Sequence, residues 1–419
     1  MQLSAAASDL TAAFAAALGD AAQAGLGLAV SGGSDSVAVL RLARDWADKT
    51  GTRLAVATVN HGLRAEAVSE AAFVADLCAD LDIPHHVLNW SGWDGQGNLM
   101  DQARRARYRL IADWAGSQGL GTVALGHTAD DQAETFLMRL ARGSGVDGLS
   151  GMAARHRSNG ILWLRPVLDQ RRADLQAYLR QIGQSWIDDP SNDDPRFDRV
   201  RIRQMMAVLQ DLGLGVQTLT ATADRMAMAR AALEQAAVRA AADCATIDQG
   251  DVVFQIGVLA GLPDETRLRL LSAAICWVAS ADYRPRLSAL TNTWSELLAG
   301  RQRPLHGAML IPKNQQLRVT RDPAAVAGLC TPFGGLWDGR WRISGPESNG
   351  LEVRALGAEG LTFCPDWRET GRPRMALLAS PALWSGDHLI AAPLAGFGNG
   401  YRAELAQGAE SFALSLIAH

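Results

Sequence analysis

The chain is poor in the features that mark membrane, secreted or metal-scaffold proteins. No apolar stretch among its 419 residues approaches the ~20 needed to cross a bilayer, so a membrane-spanning protein is excluded as an expectation. The first residues, Met-Gln-Leu-Ser, place no basic segment ahead of an apolar core, so no secretory signal is expected. Cysteines number five (Cys78, Cys244, Cys276, Cys330 and Cys364), scattered and never spaced as C-x-x-C, which supports neither a disulfide framework nor a zinc knuckle. Histidines and cysteines with ligand spacing are also missing, which argues against zinc. A reducing, cytoplasmic home follows as the default. Lysine is nearly absent: of 40 cationic residues only Lys49 and Lys313 are lysines, an imbalance that base composition explains as readily as function. A net charge of −4 gives no global sign of a nucleic-acid partner, so any such surface must be local. No internal repeat is found.

What is present is ordinary globular material, 48% hydrophobic and 20% charged, in a length that suggests two or three domains. Residues 26 to 190 alternate short apolar strands with helix-period segments: strands at Leu26 to Val30, Leu54 to Asn60, His85 to Leu88 and Thr122 to Gly126, and helices at Val37 to Ala47, Glu66 to Leu81, Gln102 to Trp114 and Ala129 to Leu140. That alternation predicts an α/β fold, an open parallel sheet with helices on both faces. Ligands of such sheets sit beyond the carboxyl ends of the strands. Three polar clusters fall there: Ser31 to Ser36, Asn60-His61-Gly62, and His127 with Asp130 and Asp131.

The first domain is expected to span 1–205. Beyond it, Thr218 to Cys244 lacks Gly and Pro and predicts one long helix, the start of a mostly helical block spanning 206–322. Pro323 and the Gly/Pro-rich stretch to Gly345 read as a linker into a small, β-rich or α+β segment at 333–419.

Two clusters carry chemistry. Ser31-Gly32-Gly33-Ser34-Asp35-Ser36 joins a strand to a helix: adjacent glycines let backbone approach an anion, and the helix start offers N–H groups and a positive dipole end. It cradles phosphate without the lysine of a Walker loop. A turn rich in small residues accounts for a bare Gly-Gly pair equally well; the full string is more selective. Asp35 among phosphate donors points to Mg2+ or an amine between them. In the second cluster, His127, Asp131 and Glu134 line one face at a helix start. Thr128 with Asp131 also fits a simple capping pair, the more ordinary account until a phosphate loop lies at the same sheet edge. Arg104, Arg105 and Arg107 share a helix, and Arg107 reaches phosphates if its half of that helix borders the site. His61, His85 and His86 read as structural or catalytic alike.

These strings stand in a series. S-G-G-S-D-S, T-V-N-H-G-L-R from Thr58, N-L-x-x-Q-A-R-x-A-R-Y from Asn98, G-H-T-A-D-D-Q-A-E-T from Gly126, R-G-S-G-V-D-G-L-S-G-M from Arg142, R-P-V-L-D from Arg165 and W-I-D-D-P-S-N-D-D-P-R-F-D-R-V-R-I-R from Trp186 together resemble the tRNA(Ile)-lysidine synthase family. The first string alone marks only the wider PP-loop, or N-type ATP pyrophosphatase, superfamily. The likeness covers about half of the chain and fades beyond residue 210. Val200 stands where the family carries an asparagine, so that side chain's hydrogen bonds are lost.

The resemblance implies an adenine nucleotide alpha-hydrolase-like fold and a ligase that joins lysine to the wobble cytidine of a CAU anticodon in two steps. ATP adenylates the cytidine carbonyl oxygen and pyrophosphate leaves; the lysine ε-amine then attacks the activated carbon and AMP leaves. It further implies that Ser31, Gly32, Gly33, Ser34, Asp35 and Ser36 bind ATP phosphates, that backbone near Val59 and Asn60 forms the adenine pocket, and that Arg107 and His127 stabilise adenylation. Asp35, Asp131 and Glu134 would serve Mg2+ and the lysine ammonium, with Asp35 and Asp131 as metal ligands. A carboxylate or a water is the candidate base for the amine. The implied partners are tRNA(Ile), its body gripped by the middle and C-terminal domains, and free L-lysine; a homodimer is left open.

Local charge offers two tRNA surfaces. Residues 139 to 203 hold 12 Arg and 8 Asp, and residues 300 to 321 hold four Arg, one Lys and no acid. A solvated arginine-rich face explains either stretch as well. Two rivals are weaker: a tRNA thiolation enzyme needs sulfur-carrying cysteines that are missing, and a non-catalytic nucleotide sensor leaves Asp131 and Glu134 without a purpose.

Overall fold

The computed structural model describes residues 5–62, 67–91, 93, 99–188, 198–346 and 350–417. Leu63, Arg64, Glu66, Asn98 and residues 189–197, which belong to expected elements or to the motifs above, lie outside them. The chain divides into two compact units, Met1–Arg230 and Ala231–His419.

In the first unit the order is α1 (Ala5–Leu18), β1 (Leu26–Ala29), α2 (Ser34–Thr50), β2 (Leu54–Asn60), α3 (Ala67–Asp80), β3 (His85–Asn89), α4 (Leu99–Ser117), β4 (Thr122–Leu125), α5 (Ala129–Ala141), α6 (Val146–Leu149), β5 (Arg155–Ser158), β6 (Ile161–Leu164), α7 (Arg172–Gln181), α8 (Asp198–Asp211) and the start of α9 (Val216–Cys244). The strands form one sheet in the order β3-β2-β1-β4-β6-β5, parallel except at the β5 edge. Strands β1 and β4 are buried along their whole length, as a parallel sheet covered on both faces requires. One face packs Leu26, Leu28 and Val56 against Phe14, Leu40, Leu42, Val74 and Leu179 from α1, α2, α3 and α7. The other packs Val123, Leu125 and Trp163 against Ile111 and Trp114 of α4. Each fully buried Leu here contributes roughly 1.5–3 kcal/mol relative to exposure.

The order of strands decides where a ligand goes. From β1 the chain moves outward through β2 and β3, then returns to place β4 on the other side of β1. The crevice of an open sheet lies at such a reversal. The loops that meet there are Ser31 to Gly33 and Gly126 to Thr128.

The expected parallel core is present, and the expected strands and helices within it begin and end within a few residues of their sequence-derived limits. The β5–β6 hairpin was not expected, though Asn159-Gly160 between its strands takes positive φ at both positions (50° and 74°), the turn that this pair favours.

The second unit starts in the long helix α9 and continues through β7 (Ala245–Asp248), β8 (Asp251–Gln255), α10 (Ile256–Gly261), α11 (Asp264–Ala279), α12 (Leu287–Leu298), β9 (Arg303–Leu305), β10 (Ala308–Lys313) and β11 (Gln316–Arg321). Helices predominate as expected, but they pack on a five-stranded antiparallel sheet, β7-β8-β11-β10-β9, that the sequence did not announce. The remaining strands, β12 (Cys330–Pro332), β13 (Trp341–Ser344), β14 (Glu352–Ala355), β15 (Pro381–Ser385), β16 (His388–Ala391) and β17 (Arg402–Leu405), form a four-stranded sheet and a two-stranded ribbon around Trp337, Trp341 and Leu383. The segment expected as a linker is ordered into this core, with Trp337 fully buried and its indole N–H donating to Leu329 O. Among the described residues no helix is long and apolar enough to cross a membrane.

Candidate active site

The phosphate-type loop follows from its small residues. Gly32 takes φ +92°, and a Cβ there would meet Ile187 Cδ1 at 2.8 Å, so only glycine fits. Gly33 caps α2 in an extended conformation. Within the turn, Ser36 Oγ donates to Gly33 O at 2.9 Å and accepts from Ser31 N–H at 3.2 Å, which fixes the curve of the loop. The first-turn N–H groups of α2 have no intrahelical acceptor and belong to the loop's open side. Past Gly33, a Cβ would find only Ser31 Oγ, at 3.9 Å, so the cradle is open.

Across the strand reversal, Thr128 and Asp131 make the expected capping box: Thr128 N–H and Oγ1–H both donate to Asp131 Oδ2 at 2.9 Å, while Asp131 N–H donates to Thr128 Oγ1 at 3.4 Å. Capping takes only one carboxylate oxygen. The other, Oδ1, accepts from Arg172 at 3.1 Å. Arg172 also donates through Nε to Asp35 Oδ2 at 2.8 Å, and its third nitrogen lies 3.7 Å from Glu134 Oε1. One guanidinium therefore joins the two clusters that sequence placed at the same edge.

Glu134 is almost wholly buried, at 2% exposure, and its Oε1 also accepts from Arg203 Nε at 2.9 Å. Its Oε2 is buried without a hydrogen-bond partner, an orphaned acceptor in an acidic seat. Burial raises the Asp35 carboxyl, and the guanidinium of Arg172 only partly offsets it. For Asp131, burial is outweighed by Arg172 and by the Thr128 N–H, and the carboxyl lies below its ordinary range. Burial alone would lower Arg172; Asp131 and Asp35 reverse that and hold it charged.

Beside this seat lies a cationic wall. Half-buried His127 accepts at Nδ1 from Arg165 Nε at 3.2 Å. Burial, reinforced by the positive charges of Arg165, Arg107 and Arg199, lowers its imidazole to about 3, so the ring is neutral at neutral pH. Arg107 itself is lowered by burial and by neighbouring Arg104 and Arg199. Among the described residues no ion pair is found at Arg107.

Of the residues expected at the site, Asp35, Asp131 and Glu134 meet at the Arg172 guanidinium, and Arg107 lies within electrostatic reach of His127. Val59 and Asn60 stand at the carboxyl end of β2, half-buried, next to β1; the Asn60 carboxamide oxygen accepts Gly62 N–H at 2.9 Å. The histidines left open divide: His85 Nε2 pairs with Thr58 Oγ1 at 2.9 Å and serves the sheet, and His86 packs on Trp114. Missed from sequence was Arg172, whose role depends on α7 passing over α2. Arg165 and Arg203 were present in the quoted strings without a role.

The two basic stretches look different in three dimensions. In the first, Arg139, Arg165, Arg171, Arg172 and Arg203 are committed to internal carbonyls and carboxylates. In the second, Arg318 pairs with Asp248 and Asp251, Arg321 with Asp338, and Arg301 and Arg303 share Glu296. In the second stretch the side chains of Arg301 and Arg303 stay exposed, while acids from outside the segment pair with Arg318 and Arg321.

Residues 6–210 match the family model described as the PP-loop domain. The tRNA(Ile)-lysidine synthase of Ruegeria pomeroyi is 49% identical over 394 residues, covering 94% of each chain. That of Rhodopseudomonas palustris is 46% identical over 248 residues, 58% of this chain and 72% of the relative. The Wolbachia pipientis protein of the same name is 38% identical over 274 residues, 65% of this chain and 64% of the relative. With a relative of near-equal length matched almost end to end, the chain belongs to the tRNA(Ile)-lysidine synthase family.

Proposed function

We propose that this protein uses ATP to join free L-lysine to the wobble cytidine of a tRNA(Ile) bearing a CAU anticodon. The observation that carries the reading is the linkage of Asp35, Asp131 and Glu134 around one guanidinium, a seat for positive charge directly beside an open phosphate cradle. Adenylation needs both elements in one place, and so does attack by a cationic amino acid.

In the first step the cytidine carbonyl oxygen attacks the α-phosphorus of ATP, and the bond to pyrophosphate breaks. Ser31 to Ser36 hold the phosphates through backbone N–H groups and hydroxyls, and Val59 and Asn60 border the adenine. Arg107 and neutral His127 face the charge that grows on the phosphoryl oxygens, where fixed donors act strongly because little water intervenes. In the second step the lysine ε-amine bonds to the ring carbon, and AMP departs with the carbonyl oxygen. Asp131 and Glu134 hold the lysine ammonium, and a carboxylate or a water takes the proton the amine must lose.

The carboxylates are the oxygen ligands Mg2+ takes, but among the described residues no group of three or more His, Cys, Asp or Glu is arranged to hold a metal, and Arg172 occupies Asp35 and Asp131. Asp35 and Asp131 would hold it, and it would supply neutralisation of the leaving pyrophosphate. Arg172 must then withdraw from those carboxylates or share them.

The deciding assay combines the full chain, ATP, Mg2+, radiolabelled lysine and tRNA(Ile) with a CAU anticodon. Label entering the tRNA, with AMP and pyrophosphate released, supports the reading; a folded protein that transfers none overturns it. Lysine-independent pyrophosphate release coupled to sulfur transfer would instead indicate a thiolation enzyme.

A further inference from the structure

We propose that Arg165 is a positioning residue that fixes His127 as a hydrogen-bond donor through Nε2–H and prevents it from acting as a base. The role assigned to His127 rests on the adenylation reading above, but the state of its ring does not.

A guanidinium carries donors and no acceptor, so the imidazole nitrogen that faces Arg165 Nε at 3.2 Å must present a lone pair. That nitrogen is Nδ1. In a neutral ring the proton then resides on Nε2. An imidazolium would set two N–H groups head to head, losing the bond and adding repulsion between cations. Such a contact between two basic side chains is unusual unless the guanidinium has no freedom to turn away.

Arg165 has none. It is 7% exposed and follows the end of β6, with its backbone N–H bonded to Ala154 O at 2.9 Å. Its first terminal nitrogen donates to Ala153 O at 2.6 Å, and the second reaches the Tyr108 hydroxyl at 3.5 Å. Tyr108 is in turn held edge-on against buried Trp163, with ring centroids 4.7 Å apart. The fork is thus bound at all three nitrogens, and only Nε is directed at the ring. Among the described residues no carboxylate takes part in this fork, which separates it from Arg172 and Arg203, whose partners are acids.

The consequence narrows the chemistry. With Nδ1 occupied and Nε2 protonated, His127 has no free lone pair to accept a proton from the lysine amine. It can donate to a phosphoryl oxygen without changing charge. The base of the second step is therefore a carboxylate or a water and not this histidine.

The test reads the ring directly. Full-length protein labelled with nitrogen-15 histidine is examined at pH 7 by two-bond proton–nitrogen correlation, with the His127 signals identified by their loss in His127→Gln. The expected result is a single neutral ring protonated at Nε2. A ring protonated at Nδ1, or a charged ring, overturns the proposal without recourse to any Arg165 variant. In Arg165→Met the single pattern should give way to a mixture of tautomers or a charged ring, and the rate of lysidine formation should fall on the order of 10–100-fold with little change in KM for ATP. Arg165→Lys, which keeps a donor, should restore part of both. Arg165→Met with the wild-type ring pattern also overturns the assignment. If the ring is as expected but no lysine enters tRNA, the function reading fails while the positioning role stands.

Discussion

Gly126 and Ser36 meet backbone to backbone: a Cβ added at Gly126 would lie 2.9 Å from Ser36 N and 3.0 Å from the Asp35 carbonyl carbon and oxygen. This contact holds the start of α5 against the start of α2, so the acidic and phosphate-type clusters share one crevice. Glycine is required here for space, not for its backbone angles.

Gly126→Ala is therefore expected to separate the two loops. Overpacking of this kind costs roughly 1–3 kcal/mol. We expect a modest fall in melting temperature and a loss of ATP affinity on the order of tenfold, since 1.4 kcal/mol of such strain borne by the bound state corresponds to that factor. Equilibrium binding of an ATP analogue checks it; unchanged affinity would mean that the loops need not touch.

Arg172→Ala leaves Asp35, Asp131 and Glu134 without their shared cation. Like charges at such range resist joint ionisation, so an incoming cation should be bound more tightly. Mg2+ titrated calorimetrically should show higher affinity in this variant than in wild type, together with weaker lysine incorporation. Equal Mg2+ affinity would place the metal elsewhere.

His127 gives a pH signature. Its imidazole is lowered to about 3 in the folded chain, against about 6.5 when unfolded. Between these values the unfolded chain binds more protons, so stability rises with pH across the window. The contribution is complete above about pH 6.5 and is lost as pH falls toward about 3. Denaturant midpoints measured from pH 7 to pH 4.5 should fall more steeply for wild type than for His127→Gln; parallel slopes would contradict the neutral ring.

In the second unit, Asp251 is 4% exposed and accepts at Oδ2 from both Arg318 and Arg372 at 2.8 Å. Asp251→Asn should cost about 3 kcal/mol by leaving buried guanidinium groups under-compensated. Unfolding followed by tryptophan fluorescence should show this unit melting earlier, with ATP binding to the first unit retained. A single unshifted transition would mean that the pairs add little.

Much of the site was legible because its signals are local. The Ser31 to Ser36 string needs only a strand before it and a helix after it, and Thr128 with Asp131 needs only helix-start chemistry. Arg172 was not legible: its value comes from α7 packing on α2, a contact between residues remote in sequence. The antiparallel sheet of the second unit escaped for a related reason. Its strands are three to six residues long, too short to establish a period, and they are scattered among helices. Two-residue turns such as Gln249-Gly250 and Asn314-Gln315 carry positive φ, but only the first includes a glycine to signal it. Net charge along a segment does not register acids brought from elsewhere, as Asp248, Asp251 and Asp338 are to Arg318 and Arg321.

The sequence by itself determined the parallel sheet, the glycine turn, the capped acidic helix and the family likeness, since periodicity, backbone freedom and capping act over a few neighbouring residues. Only the tertiary structure decided which charges face each other. It set Arg172 among three carboxylates and Arg165 against His127, because electrostatic partnership depends on distance and burial, and neither is written along the chain.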